Sequence, residues 1–435
     1  MKVLVIGNGA REHALCWKLR QSPLLTELYC APGNPGIAAL ADRVPLAAEE
    51  VQRLADFAAE MKIDLTVVGP ELPLTLGIAD EFAHRGLAIF GPTQRAAEIE
   101  GSKVFSKLFM ERHGIPTAPF AVVHDADAAR AEAARFGFPV VLKADGLAAG
   151  KGVLIAADAP ELDEAVRTLF EERRFGASGD RVLIEAFLQG DEVSFMALCD
   201  GERVLPLATA RDYKRIGDSD TGPNTGGMGA HSPSGGLSAE TAAEVVETVM
   251  RPAVAGLAAE GRPFVGVLYA GLMLTAEGPR VLEFNARFGD PEAQVLMLRL
   301  EDDLLPLLAA GAAGRFDARR LSFRREVAAC VVLASPGYPG RPLQGEPIRG
   351  LDRAAALEGV EIFHAGTALQ PDGEDGKPDG ELVSAGGRVL SVCALAPDLH
   401  GALERAYAAV AEIDWPGKVY RRDIGRRVLD PERSH

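Results

Sequence analysis

A chain of 435 residues exceeds one ordinary core and points to about three domains. Its 47% hydrophobic and 25% charged content is that of a folded globular protein, and a formal charge of −16 argues against a nucleic-acid partner, since clustered Lys and Arg are what bind phosphate backbones. Any phosphate must therefore be met by a local positive pocket, and no membrane partner is expected, because no apolar run approaches the roughly 18 residues of a span.

The opening MKVLVIGNGA holds too short an apolar run for a secretory leader. The cysteines, Cys16, Cys30, Cys199, Cys330 and Cys393, are odd in number and far apart, which suits a reduced cytoplasm better than a disulfide framework or a zinc site. Residues 2–6 read as a buried strand running into Gly7-Asn8-Gly9 and then a helix over 11–20. A dinucleotide fingerprint needs a third glycine where Glu12 stands, so a full Rossmann site is not expected. The open turn is either a tight turn alone or a seat for a single phosphate. Strands at 28–31, 65–68 and 87–90 end in the loops APGNPG, GPELP and FGPT, and they alternate with helices at 48–60 and 77–85. This pattern is α/β: a doubly wound parallel sheet over residues 1–100, with ligands expected at the strands' carboxyl ends, where Glu71 lies.

The stretch GSKVFSKLFMERH, residues 101–113, reads as a capped helix, and Pro116 and Pro119 mark a passage into a lid-sized unit over 121–188. That unit alternates a helix (126–136), a strand (139–144), a glycine loop, a strand (153–156), a helix (161–172) and a strand (181–186). Its loop KADGLAAGKGV is not a P-loop, because Asp145 and Gly152 occupy positions that need Gly and Ser or Thr. A core of 101–120 and 189–325 carries strands at 192–199 and 204–208, the polar segment DYKRIGDSDTGPNTGGMGAHSPSGG, read as an active-site loop, and a long helix over 241–260. The last unit, 326–435, is α+β, with strands at 327–333, 361–364 and 388–394 and a helix at 400–412. Its segment PDGEDGKPDG reads as a hairpin tip or exposed loop.

Chemistry concentrates in VLEFNARFGDPE. On an extended strand Glu283, Asn285 and Arg287 share one face while Leu282, Phe284 and Ala286 share the other. A carboxylate and an amide oxygen two residues apart are the hard ligands Mg²⁺ accepts, with water and phosphate completing its shell. The planar fork of Arg287 can hold a carboxylate or phosphate. Lys103, Lys143 and Lys151 offer the positive pocket, and together with this strand they make ATP the economical ligand. Glu185 and Glu192 could accept from the adenine amino group and the ribose hydroxyls.

The ordered motifs GNGAREHAL, VVGPELPL, GSKVFSK, VLKADGLAAGKGV, DTGPNTGGMGA, YAGLM and EFNARFGDPE, with FHAGT and GGRVL near the end, resemble the phosphoribosylamine–glycine ligase family of the ATP-grasp superfamily over essentially the whole chain. The resemblance implies a preATP-grasp domain, an ATP-grasp core interrupted by a mobile lid, and a C-terminal domain. It implies ATP-dependent joining of glycine to 5-phosphoribosylamine through glycyl phosphate, with Mg²⁺ or Mn²⁺ at Glu283 and Asn285. ATP would meet Lys103, Lys143, Gly150, Lys151, Glu185, Phe187 and Glu192. Arg287, Asp212 and Lys214 would be catalytic, Arg287 holding the glycine carboxylate or the acyl phosphate. Asn8, Gly9, Glu71, Gly226, Gly227 and Asp290 would contact substrate, Asp290 through the ribose hydroxyls or the amine. A cytoplasmic monomer in transient contact with the preceding amidotransferase is implied as well. The family commonly reads QDHKR where this chain has Arg211-Asp212-Tyr213-Lys214-Arg215, so tuned but not lost activity is expected. The alternatives are another ATP-grasp carboxylate–amine ligase, a bicarbonate-activating relative, and a noncatalytic ATP-binding scaffold.

Overall fold

Short uninterrupted apolar runs build the parallel sheet with which the chain opens. The computed structural model describes residues 1–146, 152–172, 180–370 and 380–430. Its first sheet has the order Asp42–Arg43, Glu27–Pro32, Lys2–Gly7, Leu65–Val68 and Ile89–Phe90, with all neighbours parallel. Alternation decides the two faces: Val3 and Val5 pack with Ala14, Leu15 and Leu19 of helix Ala10–Leu19, whereas Leu4 and Ile6 pack with Leu54, Ile78 and Phe82 of the helices opposite. A sheet covered on both sides needs such continuous apolar strands, and the loops at its carboxyl ends open toward the rest of the molecule.

Ser102 caps helix Lys103–Arg112 by accepting from the Phe105 amide. The lid follows as an antiparallel sheet in the order Phe120–Val123, Val182–Ala186, Val140–Ala144 and Val153–Ala156, backed by helices Ala126–Phe136 and Ala159–Val166 around an apolar cluster of its own. The central sheet, also antiparallel, runs Val204–Pro206, Asp191–Asp200, Val265–Thr275 and Gly278–Asn285. Its last strand departs from strict alternation. Glu283 pairs with Gly271 but Val281 pairs with Leu272, so Leu282 is an extra residue at a bulge. Val281, Phe284 and Ala286 consequently enter the core, and Leu282, expected there, lines the cavity instead.

About half of the polar segment expected as an active-site loop is strand. Arg215–Gly217 and Thr221–Asn224 form a small hairpin, closed by Ser219 and Asp220 at φ 56° and 53°. Arg211–Asp212 and Gly229–Ser232 join the sheet of the last unit, whose order is Arg211–Asp212, Gly229–Ser232, Val327–Ala334, Arg388–Ala396, Val360–His364. These strands carry no apolar alternation because their side chains serve the cleft and the seam between sheets. Helix Leu399–Glu412 covers that last sheet with Ala402, Leu403, Ala406 and Val410. Strands Thr367–Leu369 and Leu382–Ser384 pair as the arms of a hairpin, while residues 371–379 lie outside the described residues.

Candidate active site

One cavity of about 1040 Å³ lies where the first sheet, the lid, the central sheet and the last sheet converge. Among the described residues, every residue expected at the site lines it apart from Gly227, which stands just behind. Gly150 and Lys151 lie outside the described residues.

On the lid side, Lys143 ends strand Val140–Ala144 and is buried, with Nζ 3.0 Å from Glu185 Oε1 and 3.1 Å from the carbonyl of Leu282 that the bulge turns inward. Lys103, at the start of its helix, donates to the Gly146 carbonyl at 2.8 Å. Glu185, 2% exposed, also lies 3.0 Å from Lys107 Nζ. Glu185, expected to accept from the adenine amino group, directs its charge here at two lysines. Burial pushes its carboxyl up, but Lys143 and Lys107 more than offset this and hold it below the usual range. Phe187 is half-exposed on the cavity wall. Glu192 is ion-paired with Lys214, whose ammonium also lies 3.8 Å from Glu283.

Glu283 and Asn285 both face the cavity from strand Gly278–Asn285, as the spacing required. Burial raises the Glu283 carboxyl, yet Lys214, Lys143, Lys103 and Arg287 bring it below its ordinary value, so it is a committed carboxylate. A carboxylate and an amide oxygen suit Mg²⁺ bound jointly with phosphates, since that ion takes few protein ligands. Arg287 stands just past the strand and is clamped. It pairs with Glu71 at 3.1 Å and Glu100 at 3.1 Å and donates to Asn285 Oδ1 at 3.3 Å and the Phe288 carbonyl at 3.2 Å. Glu100 is itself pinned by the Ala286 amide at 2.6 Å. The guanidinium is thereby fixed in orientation before any ligand arrives.

On the opposite wall Asn8 is exposed, but the turn beside it is not open as expected. The Gly9 amide donates to Glu12 Oε2 at 2.6 Å, and a Cβ at Gly69 would fall 1.9 Å from Glu12 Oε1. Glu12 thus satisfies the first-turn donor that a phosphate would otherwise use. Asp212 faces the cavity from Arg211–Asp212. Burial, reinforced by Glu292, raises its carboxyl well above the usual range, and its Oδ1 is buried without a hydrogen bond. Beside it Glu292 Oε1 accepts from Tyr269 at 2.5 Å and Ser194 at 3.0 Å. Tyr213, the residue that follows this strand, is 4% exposed and packs into the last sheet's core near His231 and Arg421. Gly226 and Gly227 lie under Arg388, which donates to the Gly226 carbonyl at 2.5 Å, the Asp290 carbonyl at 2.6 Å and Asp290 Oδ2 at 2.8 Å.

The phosphoribosylglycinamide synthetase N domain matches residues 1–100, its ATP-grasp (A) domain residues 101–293, and its C domain residues 328–427. The chain belongs to the phosphoribosylglycinamide synthetase family. The phosphoribosylamine–glycine ligase of Brucella melitensis is 48% identical over 435 residues, covering 100% of both chains. That of Rhizobium meliloti is 50% identical over 432 residues, covering 99% of this chain and 100% of its own. The crystal structure of phosphoribosylamine–glycine ligase from Thermotoga maritima matches with a TM-score of 0.82 at 33% identity, over 97% of this chain and 100% of that one. N5-carboxyaminoimidazole ribonucleotide synthetase from the same organism shares the fold, with a TM-score of 0.64 at 18% identity over 95% of this chain and 99% of its own. Membership in the synthetase family makes the chain an ATP-dependent ligase of purine biosynthesis.

Sequence reasoning missed several residues that shape this synthetase site. Glu100 immediately precedes the GSK motif, Lys107 is that motif's second lysine, Glu292 closes GDPE, and Arg388 sits in GGRVL. Each lies in or beside a quoted motif, but only the fold shows that their side chains converge.

Proposed function

We propose that this cleft joins glycine to 5-phosphoribosylamine with the residues named above, giving glycinamide ribonucleotide, ADP and phosphate. The observation that carries the assignment of roles is the convergence of Lys103, Lys143, Glu283, Asn285 and Arg287 on one cavity with Asp212 and Asp290 facing them. A carboxylate oxygen of glycine attacks the γ-phosphorus of ATP, the bond to the β-phosphate oxygen breaks, and ADP leaves glycyl phosphate. The amine nitrogen of phosphoribosylamine then attacks the acyl carbon, the carbon–oxygen bond to phosphate breaks, and the nitrogen releases a proton.

Lys103 and Lys143 hold the triphosphate, and Lys214 sets the orientation of Glu192 and Glu283. Glu283 and Asn285 would hold the divalent ion, Mg²⁺ or Mn²⁺, which supplies charge neutralisation on the transferring group when bound. Arg287, immobilised by Glu71 and Glu100, orients the glycine carboxylate or the acyl phosphate. Asp212, with its raised affinity for protons, takes the one released by the amine. The acceptor lies between Asn8, Gly9 and Glu71 on one side and Gly226, Gly227 and Asp290 on the other. The lid, with Gly150 and Lys151, excludes water from the acyl phosphate.

The division into 1–100, 101–120 with 189–325, 121–188 and 326–435, the monomeric state, the cytoplasmic location and contact with the preceding amidotransferase belong to the same proposal. Its test is phosphate release from ATP with glycine and freshly generated phosphoribosylamine, omitting each in turn. Release that needs both, with an amide product, supports the reading; release indifferent to glycine overturns it.

A further inference from the structure

Lys107 has no place in the roles above, yet it is among the most deeply buried large side chains of the protein, at 2% exposure. It stands one helical turn after Lys103, so both project from one side of helix Lys103–Arg112. Its Nζ donates to Thr117 Oγ1 at 2.6 Å, and Thr117 in turn donates to the Val281 carbonyl at 2.6 Å. The ring of Phe120 lies 5.9 Å away. Lys107 is thus held by Thr117 beside the Phe120 ring, and it lies 3.0 Å from Glu185 Oε2.

Lys143 lies at the same distance from the carboxylate's other oxygen, Glu185 Oε1 at 3.0 Å, and donates to the Leu282 carbonyl at 3.1 Å instead of to a side-chain hydroxyl. Two ammonium groups therefore share one carboxylate. A buried carboxylate that loses its only counter-ion is strongly unfavourable, so Lys143 could not leave Glu185 for a nucleotide phosphate unless another cation stayed behind.

We infer that Lys107 is a positioning residue, the permanent counter-ion of Glu185, which leaves Lys143 free to exchange between that carboxylate and the triphosphate. The inference rests on the reading that Lys143 meets the phosphates. Without Lys107, Glu185 retains Lys143 as its sole partner and the nucleotide must compete for it. The burial that lowers the Lys107 ammonium to about 8 still leaves it mostly charged near neutrality.

The test measures binding of MgATP and of adenosine, with KM for ATP and for glycine, in the full-length chain carrying Lys107→Met or Lys107→Gln. The Gln variant keeps a donor for Thr117. MgATP affinity should fall about tenfold, the scale of coupling between directly paired groups. Adenosine affinity and KM for glycine should stay within about twofold, inside the error of independent sites. Adding Glu185→Gln to Lys107→Met should restore MgATP binding, because the carboxylate that captures Lys143 is gone. A purely structural role predicts the reverse, with the double variant weaker than the single. Unchanged MgATP affinity, a double variant no better than the single, or loss of cooperative folding in both single variants would overturn the inference. A Lys143→Met control that binds MgATP normally would instead refute the underlying assignment of Lys143.

Discussion

Arg388 Nη2 meets Asp290 Oδ2 at 2.8 Å, and the same guanidinium donates to the carbonyls of Asp290 and Gly226. A residue of the last sheet therefore fixes both sides of the acceptor wall. Burial raises the Asp290 carboxyl, but Arg388 and then Arg11 hold it below its ordinary range. Arg388→Ala would leave a buried carboxylate and two carbonyls without their donor. Stability should fall by about 3 kcal/mol, measured as a lower urea midpoint, and KM for phosphoribosylamine should rise more than KM for ATP. Arg388→Lys, which keeps charge but loses the fork, should recover stability only in part.

Gly227 occupies φ +113°, and a Cβ there would meet Pro291 Cδ at 2.4 Å and Asp212 Oδ1 at 2.7 Å. Gly227→Ala must displace one of these groups, neither of which lies at the end of a long flexible chain. Turnover should drop at least about tenfold, as expected when a reacting group is misplaced, with a smaller change in ATP binding. Steady-state kinetics with each substrate varied in turn will show the split.

Glu283→Gln keeps the shape of the side chain while removing the charge that four cations stabilise. Turnover should fall by about 10² or more, the scale for losing a preorganised electrostatic contact, and the Mg²⁺ concentration for half-maximal rate should rise. Chelation with EDTA should abolish activity in the unsubstituted protein, and added Mg²⁺ or Mn²⁺ should restore it. Comparing the two ions at equal concentration also measures the preference.

His13, His231 and His364 are held neutral, with values lowered to about 3, about 4 and about 4, in each case chiefly by burial. The His13 Nδ1 accepts from the His364 amide at 2.8 Å, so protonation there would break a bond between the first helix and the last sheet. These folded values lie below the ordinary 6.5, so the unfolded chain takes up protons first as pH falls. The stability at stake is complete above about 6.5 and is lost as pH drops toward 4, with a slope of up to about 1.4 kcal/mol per pH unit for each histidine. Urea midpoints should stay nearly level from about pH 7.5 to about 6.5 and fall from there to about pH 5; a flat response over the whole range would contradict the neutral assignment.

Legibility in the sequence followed local physics. The parallel sheet was readable because Val3 to Ile6 are apolar throughout and Leu65 to Val68 are apolar apart from Thr66, and the metal-competent strand because Glu283 and Asn285 keep a two-residue period across Phe284. The period failed at Leu282, since a bulge depends on the partner strand and leaves no mark in the bulged strand itself. The strands within segment 212–236 were not legible because they are stabilised by pairing across sheets and by polar contacts, which have no apolar signature. The Tyr213 departure was expected to tune activity, and the fold packs its ring into the core of the last sheet. That Glu185 faces Lys107 and Lys143, and that the Gly9 amide donates to Glu12, could not be read from spacing. Such competition between nearby groups is a three-dimensional property that spacing cannot express.

Strand Gly229–Ser232 pairs along its length with Val327–Ala334, placing Ala230 opposite Cys330 and His231 opposite Ala329. The last hundred or so residues are consequently no interchangeable module, because their sheet borrows its outer strands from the middle of the chain. Cutting the backbone between residues 325 and 326 would produce two fragments, each with a bare and largely buried strand edge, a template for pairing. Expressed separately they should be insoluble, and co-expressed they should recombine by strand complementation. The same seam means that swapping this terminal portion among relatives requires exchanging Arg211–Ser232 with it.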